Sequence, residues 1–223
     1  MDQNYHECIM LCSDPPQFVN EDGSPCERCQ PRMRLFVGGG QEYHGPTAER
    51  DKEVVKQVAK ALARFKGSEV QIVTGGMPGI PDDFAAAWTA AGGSQVLCVV
   101  SSEYEEAFRA RNLPYACVVV GATQTARRLA VTQWQGLEAA FFVQGGKYTT
   151  HEMRLLSERG VPIVAFHGSG GAAGGEQPYE GWSYPIIPYD EDTKNYIGSR
   201  DPHMLPVHIG MELFNQLLKA LKK

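Results

Sequence analysis

The sequence predicts an α/β fold in which helices cover both faces of an open parallel sheet. Two observations lead to this prediction: short apolar runs alternate with helical patterns, and glycines follow directly after several of the runs. The runs are nearly continuous and rich in β-branched and aromatic residues, as is typical of strands that are buried on both faces. We therefore predict a Rossmann-like open sheet of about six to seven strands.

The predicted elements begin at residue 33. Apolar runs predict strands at 33–37, 70–74, 95–100, 116–120, 139–143 and 161–166, with a weaker seventh at 185–189. Apolar residues at helical spacing predict helices at 47–66, 84–91, 124–135, 150–159 and 206–221. Residues 1–32 lack such periodicity, so we interpret them as an irregular Cys/Pro-rich extension that precedes a Rossmann-like domain of residues 33–223.

Length, charge and hydropathy limit the possible partners. The chain has 223 residues, which suits one α/β domain with extensions. Its formal net charge is −5 and it has no long basic run, which argues against nucleic acid as a partner. No apolar stretch reaches the roughly 20 residues of a membrane helix, and the N-terminus lacks a signal-peptide pattern. We expect a cytoplasmic protein that binds a small molecule.

Four cysteines lie in the extension, at Cys8, Cys12, Cys26 and Cys29. Their spacing is compatible with a zinc site made of four thiolates. The simpler interpretation, which we favour, is four unrelated thiols in a flexible tail, and disulfides are a third alternative. No metal is therefore predicted for this protein.

Glycine-rich turns follow three of the predicted strands, at 38–40, 75–79 and 145–146. Ligands of open parallel sheets bind at the carboxyl ends of the strands. Glycine lets the backbone approach a ligand closely, and the start of a helix attracts anions. The candidate phosphate-binding residues in and beside these turns are Gly39, Gly75, Gly76, Gly79, Gly145, Gly146, Lys147, Thr149 and Thr150.

Three further features have two interpretations each. Thr149-x-x-Glu152 matches a capping box, and this is the simpler role of Glu152; the alternative is general acid/base chemistry or stabilisation of a positively charged sugar. Arg127 and Arg128 open a predicted helix, where they are either solvated or point into an anionic site. The glycine-rich segment 168–175 is most simply a mobile surface loop, and alternatively a lid beside the site.

Together these motifs resemble the Lonely Guy family, also called "lysine decarboxylase-like", within the Rossmannoid nucleotide-binding proteins. The signature of that family is P-G-G-x-G-T-x-x-E, and residues 144–152 match both leading glycines, the threonine and the glutamate. Gln144 stands in place of the proline and Tyr148 in place of the third glycine. Residues 74–82 resemble the G-G-G-x-x-G-L-M-G turn of the family, and 127–128 its Arg-Lys pair.

The resemblance implies a nucleoside 5′-monophosphate phosphoribohydrolase that acts without a cofactor. By resemblance, Arg127 and Glu152 are the catalytic pair, and residues 145–150, together with Arg128, hold the 5′-phosphate. It also implies a homodimer, as do the predicted C-terminal helix and apolar residues expected to be exposed on the helix at 124–135, such as Trp134.

Three alternatives remain at this stage. The first is a carrier or binding protein for a nucleotide or nucleotide-derived cofactor, which the departures at Gln144 and Tyr148 favour. The second is an interaction domain with an empty crevice, which the three glycine turns disfavour. A nicotinamide-dependent dehydrogenase is disfavoured because residues 38–40 do not form G-x-G-x-x-G and Thr74 stands where an acidic residue is expected.

Overall fold

A computed structural model of the chain describes residues 9–11, 17–19, 33–93, 95–175, 198, 201 and 203–221. Strands β1 (Ile9–Leu11) and β2 (Gln17–Val19) pair antiparallel as a separate two-stranded sheet. The main sheet has six strands, all parallel. They are β3 (Met33–Gly39), β4 (Val70–Thr74), β5 (Val96–Val100), β6 (Ala116–Val119), β7 (Leu137–Val143) and β8 (Ile163–Phe166).

Helices connect these strands and pack on both faces of the sheet. They are α1 (Ala48–Lys66), α2 (Ile80–Ala90), α3 (Ser102–Ala110), α4 (Gln124–Thr132), α5 (Lys147–Glu158) and α6 (Pro206–Ala220). A short 3₁₀ turn, His167–Ser169, follows β8. The predicted α/β fold with an open parallel sheet is confirmed, while the run at 185–189 lies outside the described residues.

The strand order β6-β5-β4-β3-β7-β8 fixes where a ligand site is expected. From the central strand β3, the chain adds β4, β5 and β6 on one side and then returns to add β7 and β8 on the other. Strands β3 and β7 therefore flank the point at which the order reverses. In such sheets the crevice outside the carboxyl ends of these two strands is the usual binding position.

The core consists of two apolar layers, one on each face of the sheet. Successive residues of β3 alternate between them, so that Leu35 faces the layer of α1, α2 and α6 while Phe36 faces the layer of α4 and α5. This alternation follows from the two-residue period of a strand. Because both faces are covered, the strands read as continuous apolar runs in the sequence.

Some features of the helices differ from the expectations. Helix α3 was not predicted; it is short, and only Phe108 of its nine residues is buried. Trp134 is only 8% exposed and belongs to the core, so it does not support self-association. The apolar face of α6 packs into the core beside α1, and the homodimer stays a prediction. In the described part of the chain, no helix is long and apolar enough to cross a membrane.

Candidate functional site

A cavity of about 370 Å³ opens at the switch point of the sheet. We call it the crevice. Its walls come from the turns after β3, β4 and β7 and from the first turns of α4 and α5. The candidate residues that line it are Gly39, Gly75, Arg127, Arg128, Gly146, Thr149 and Glu152.

Arg127 and Glu152 form a buried ion pair in the wall of the crevice. Nη2 of Arg127 lies 3.4 Å from Oε1 of Glu152, and Nε of Arg128 lies 3.9 Å from the same oxygen. Each arginine is 6% exposed, so the interpretation of these residues as solvated is wrong. The Nε atoms of both arginines lack a hydrogen-bond partner among the described residues. Unsatisfied buried donors are rare in folded proteins, so these two atoms are an unusual feature of the wall.

Burial dominates the electrostatics of this pair. It raises the pKa of Glu152 above the usual value of a glutamate, and the positive charges of Arg127 and Arg128 oppose that shift. Burial likewise lowers the pKa of Arg127, against the attraction of Glu152. A desolvated carboxylate with an elevated pKa is better suited to take up a proton than an exposed one.

The position of Arg127 depends on the glycine at the end of β4. A Cβ atom at Gly75 would overlap the guanidinium group of Arg127. The start of α4 is fixed by Thr123, whose side chain accepts a hydrogen bond from the backbone N–H of Ala126. The lack of a side chain at Gly75 therefore leaves space for the guanidinium group of Arg127, in addition to any contact that Gly75 makes with a ligand.

The predicted capping box at Thr149 and Glu152 does not form. Helix α5 begins three residues earlier than predicted, at Lys147, and its N-cap is Gly146. Thr149 lies in the first turn and its hydroxyl donates to the carbonyl of Gly39 at 3.4 Å. Because the carboxylate of Glu152 points to the arginines instead of the cap, the simpler of its two interpretations is wrong.

The start of α5 is well suited to hold an anion. Its first turn contains no acidic residue, and space around the α-carbon of Gly146 is open. Lys147 and Thr150 do not line the crevice, and the hydroxyl of Thr150 donates to the carbonyl of Gly146. Unpaired N–H groups and the helix dipole at this end favour a phosphate.

The start of α2 offers no such site. Asp82 and Asp83 occupy its first turn, Pro81 has no N–H group, and the N–H of Ile80 donates to the carbonyl of Gly40. Carboxylates at a helix start compensate the positive end of the helix dipole and repel a bound anion.

Two candidate glycines in the turn before α2 have packing roles. Gly76 packs against Val100 and Phe108, while a Cβ at Gly79 would overlap the backbone of Gln41. Both have a positive φ, and neither lines the crevice.

Tyr148 stands at the mouth of the crevice. The residue is 57% exposed, and the guanidinium carbon of Arg128 lies 4.3 Å from the ring centroid. The ammonium of Lys147 lies 4.9 Å from the same centroid. The side chain that replaces the third glycine of the signature therefore forms an aromatic wall of the crevice.

Gln144 clamps the loop that follows β3. Its side chain accepts from the N–H of His44 and donates to the carbonyl of His44 and to Asp51, at 2.9, 3.1 and 3.1 Å. Asp51 also accepts from Thr47 and is paired with Arg50. The φ of Gln144 is 51°, a conformation that proline cannot adopt. The turn thus differs from the Lonely Guy signature in its backbone as well as in this side chain.

The glycine-rich segment 168–175 is packed, so the expectation of a mobile surface loop is wrong. The N–H groups of Ala172 and Ala173 donate to the carbonyls of Gly145 and Gln144, and both alanines are buried. Ser169 accepts from the N–H of Gln144 at 2.9 Å. This segment lies beside the site, as the alternative proposed, but as a fixed wall.

Several residues that line the crevice were not candidates. These are Gln41, Met77, Pro78, Pro81, Gln124 and Thr125. Most of them follow a predicted strand or begin a predicted helix, and that position was the one signal that could have identified them. Gly145 lines a neighbouring cavity instead.

The structure describes two of the six cysteines. Cys98 is buried and Cys117 half-buried, and both are free thiols. Burial raises the pKa of Cys98 to about 12, so this thiol is not a nucleophile at neutral pH. Cys8, Cys12, Cys26 and Cys29 lie outside the described residues. Within the described residues no cluster of three or more His, Cys, Asp or Glu side chains could hold a metal.

The fold and the crevice define a Rossmann-like protein with a candidate site at the switch point of its sheet. No model of a protein family and no curated protein matches the chain. Among solved structures, the X-ray structure of TM1055, a structural genomics target, is 19% identical with a TM-score of 0.50. That match covers 63% of this chain and 78% of TM1055.

Two further solved structures are similar. One is DNA processing protein A from Helicobacter pylori, which has a single-stranded DNA binding mode. It is 12% identical with a TM-score of 0.50, and the match covers 86% of this chain and 82% of DNA processing protein A. The molybdenum cofactor carrier protein from Chlamydomonas reinhardtii is 20% identical, with a TM-score of 0.45. That match covers 60% of this chain and 75% of the carrier protein. At these identities, TM1055 and DNA processing protein A share the fold with this chain, and nothing more specific follows.

Proposed function

We propose that the crevice binds a nucleoside 5′-monophosphate and that the protein hydrolyses its N-glycosidic bond. The single observation that carries the proposal is the buried Arg127–Glu152 pair, which lines the crevice together with Gly146 at the start of α5. Such a pair offers a positive charge to an anionic ligand and a carboxylate beside that ligand.

The 5′-phosphate is assigned to the start of α5. Gly146 leaves room for close approach of an oxygen to the backbone, and Arg127 and Arg128 line the same crevice. With the phosphate held there, the ribose lies next to Glu152 and the base next to Tyr148. An exposed aromatic ring is a suitable surface for a base of any identity, because every base has a stacking face.

The chemistry follows from the charges that develop. The bond from C1′ of the ribose to the base nitrogen breaks, and its electron pair leaves with the base. The oxygen of a water molecule bonds to C1′, while Glu152 accepts a proton from this water and returns it to the base. The products are ribose 5-phosphate and the free base. Glu152 also stabilises the positive charge on the ribose, and the fixed phosphate orients the sugar.

A second candidate is a carrier protein that binds a nucleotide or nucleotide-derived cofactor without turnover. The contacts of Glu152 favour it, because both neighbouring guanidinium groups lie within 4 Å of one carboxylate oxygen. A carboxylate neutralised by two cations is a weaker base than one with a single partner. Under this alternative the crevice, the phosphate position and the role of Tyr148 are unchanged.

A screen of nucleoside 5′-monophosphates separates the two candidates. Purified protein is incubated with each nucleotide, and released base and ribose 5-phosphate are separated by chromatography, while binding is measured in parallel by calorimetry. Equimolar release of both products supports the hydrolase. Binding without release would overturn hydrolysis in favour of the carrier, and absence of binding would overturn both.

A further inference from the structure

A second cavity of about 620 Å³ adjoins the crevice. We call it the distal cavity. It shares Gly40, Gln41 and Gly146 with the crevice. Because Gly146 is the N-cap of α5, the junction lies where the unpaired N–H groups of that helix begin. An anion bound at this junction has open space on both sides.

The distal cavity differs from the crevice in charge. The crevice is lined by two arginines and a glutamate, whereas the described residues around the distal cavity include no Asp, Glu, Lys or Arg. The polar side chains of Gln144 and Ser169 are held in hydrogen bonds within the protein. His44 is the single titratable residue among those that line it. A cavity of this composition suits an uncharged polar group.

The walls of the distal cavity are preformed. Residues 168–171 form one wall, fixed to the turn after β7 by the hydrogen bonds of Ala172 and Ala173. The opposite wall, residues 44–47, is fixed by the clamp of Gln144 on His44. A site that is already built loses little conformational entropy when a ligand binds.

We propose that the ligand extends from the crevice across Gly146 into the distal cavity, as a nucleoside diphosphate joined to an uncharged polar group such as a sugar. This rests on the proposed function, since the nucleoside unit occupies the crevice as described above. The two phosphates lie at the start of α5. The distal cavity then takes the group on the far side of the diphosphate, which a mononucleotide lacks.

Matched pairs of ligands test this directly. The full chain is titrated by calorimetry with AMP and ADP-ribose, UMP and UDP-glucose, and GMP and GDP-mannose. For the base that the crevice accepts, the conjugate is expected to bind at least about tenfold more tightly than the monophosphate. His44→Trp fills the distal cavity and is expected to reduce the affinity for the conjugate to that for the monophosphate, with binding of the monophosphate unchanged.

Two further variants make the result specific. Pro46→Trp fills the same cavity from another position and is expected to act like His44→Trp, should that variant fold poorly. His203→Trp, at an exposed histidine that does not line the distal cavity, is expected to keep the preference for the conjugate.

The outcomes separate the two proposals. A monophosphate that binds as tightly as its conjugate, or a preference that survives both filling variants, would overturn the distal site and leave the proposed function intact. If neither member of any pair binds, the nucleotide-binding crevice is refuted, and the distal proposal with it.

Discussion

The side chains of Arg127 and Glu152 come from two helices that are separated by a strand in the sequence, and they meet 3.4 Å apart at the switch point of the sheet. Both are less than a tenth exposed. A buried pair of this kind is costly to desolvate, so its presence at the usual ligand position is better explained by binding than by stability.

Replacement of Arg127 is predicted to affect both binding and folding. Arg127→Ala removes the closer cation of Glu152 and should lower the free energy of unfolding by about 3 kcal/mol, measured by urea denaturation. Nucleotide affinity should fall by about tenfold or more, because a charge-assisted contact to the phosphate is lost. Arg109→Ala, which removes an exposed arginine, is the control and should change neither quantity by much. Equal effects of the two variants would argue against an anionic site at Arg127.

Gly146→Ala is predicted to separate binding from stability. The added methyl group meets no protein atom within 4 Å, and the φ of Gly146, −113°, is accessible to alanine. The free energy of unfolding should therefore change by less than about 1 kcal/mol. The methyl group projects into the proposed phosphate position, so nucleotide affinity should drop by about tenfold or more. Unchanged nucleotide affinity would contradict the assignment of the phosphate to the start of α5.

Tyr148 is predicted to act through its ring and not through its hydroxyl. Tyr148→Ala should raise KM by about tenfold, because stacking on a base contributes about 1–3 kcal/mol. Tyr148→Phe keeps the ring and should keep KM within about twofold. The comparison is made by steady-state kinetics with the nucleotide identified in the screen, or by calorimetry if it is only bound. A hydroxyl-dependent effect would refute the stacking role.

The pH dependence of kcat reports on Glu152. A general base must be ionised, so kcat should fall as the pH drops through the pKa of Glu152. Burial raises that pKa, and the fall should therefore occur above the usual glutamate value of roughly 4.3. Saturating nucleotide is needed because the substrate phosphate titrates near pH 6 and affects binding. A profile that stays flat to about pH 4 would argue against this role.

The fold was accessible from the sequence because strands buried on both faces leave an unmistakable pattern. Each of the six strands was predicted, whereas α3 was not, because a nine-residue helix with one buried side chain gives only a weak apolar pattern. The position of the third glycine turn was also predictable, since it ends a strand and begins a helix.

The chemistry of the site was predictable only in part. The pairing of Arg127 with Glu152 joins residues 25 positions apart. Local patterns left the role of the arginines open and favoured a capping box for Glu152, and the pair was expected only from the family resemblance. The roles of Gln144 and of residues 168–175 depend on contacts between the ends of neighbouring strands. Such contacts follow from strand order, which the sequence alone does not specify.

The most direct test of the central claim compares base release by the wild-type protein with that by Glu152→Gln. The amide keeps the size of the side chain but cannot accept the proton, so kcat should fall by roughly 10²-fold or more while the nucleotide still binds. Glu158→Gln, an exposed glutamate on the same helix, is the control and should retain activity. Loss of base release in Glu152→Gln alone is the predicted result, and equal release by all three proteins would contradict the assignment of catalysis to this pair.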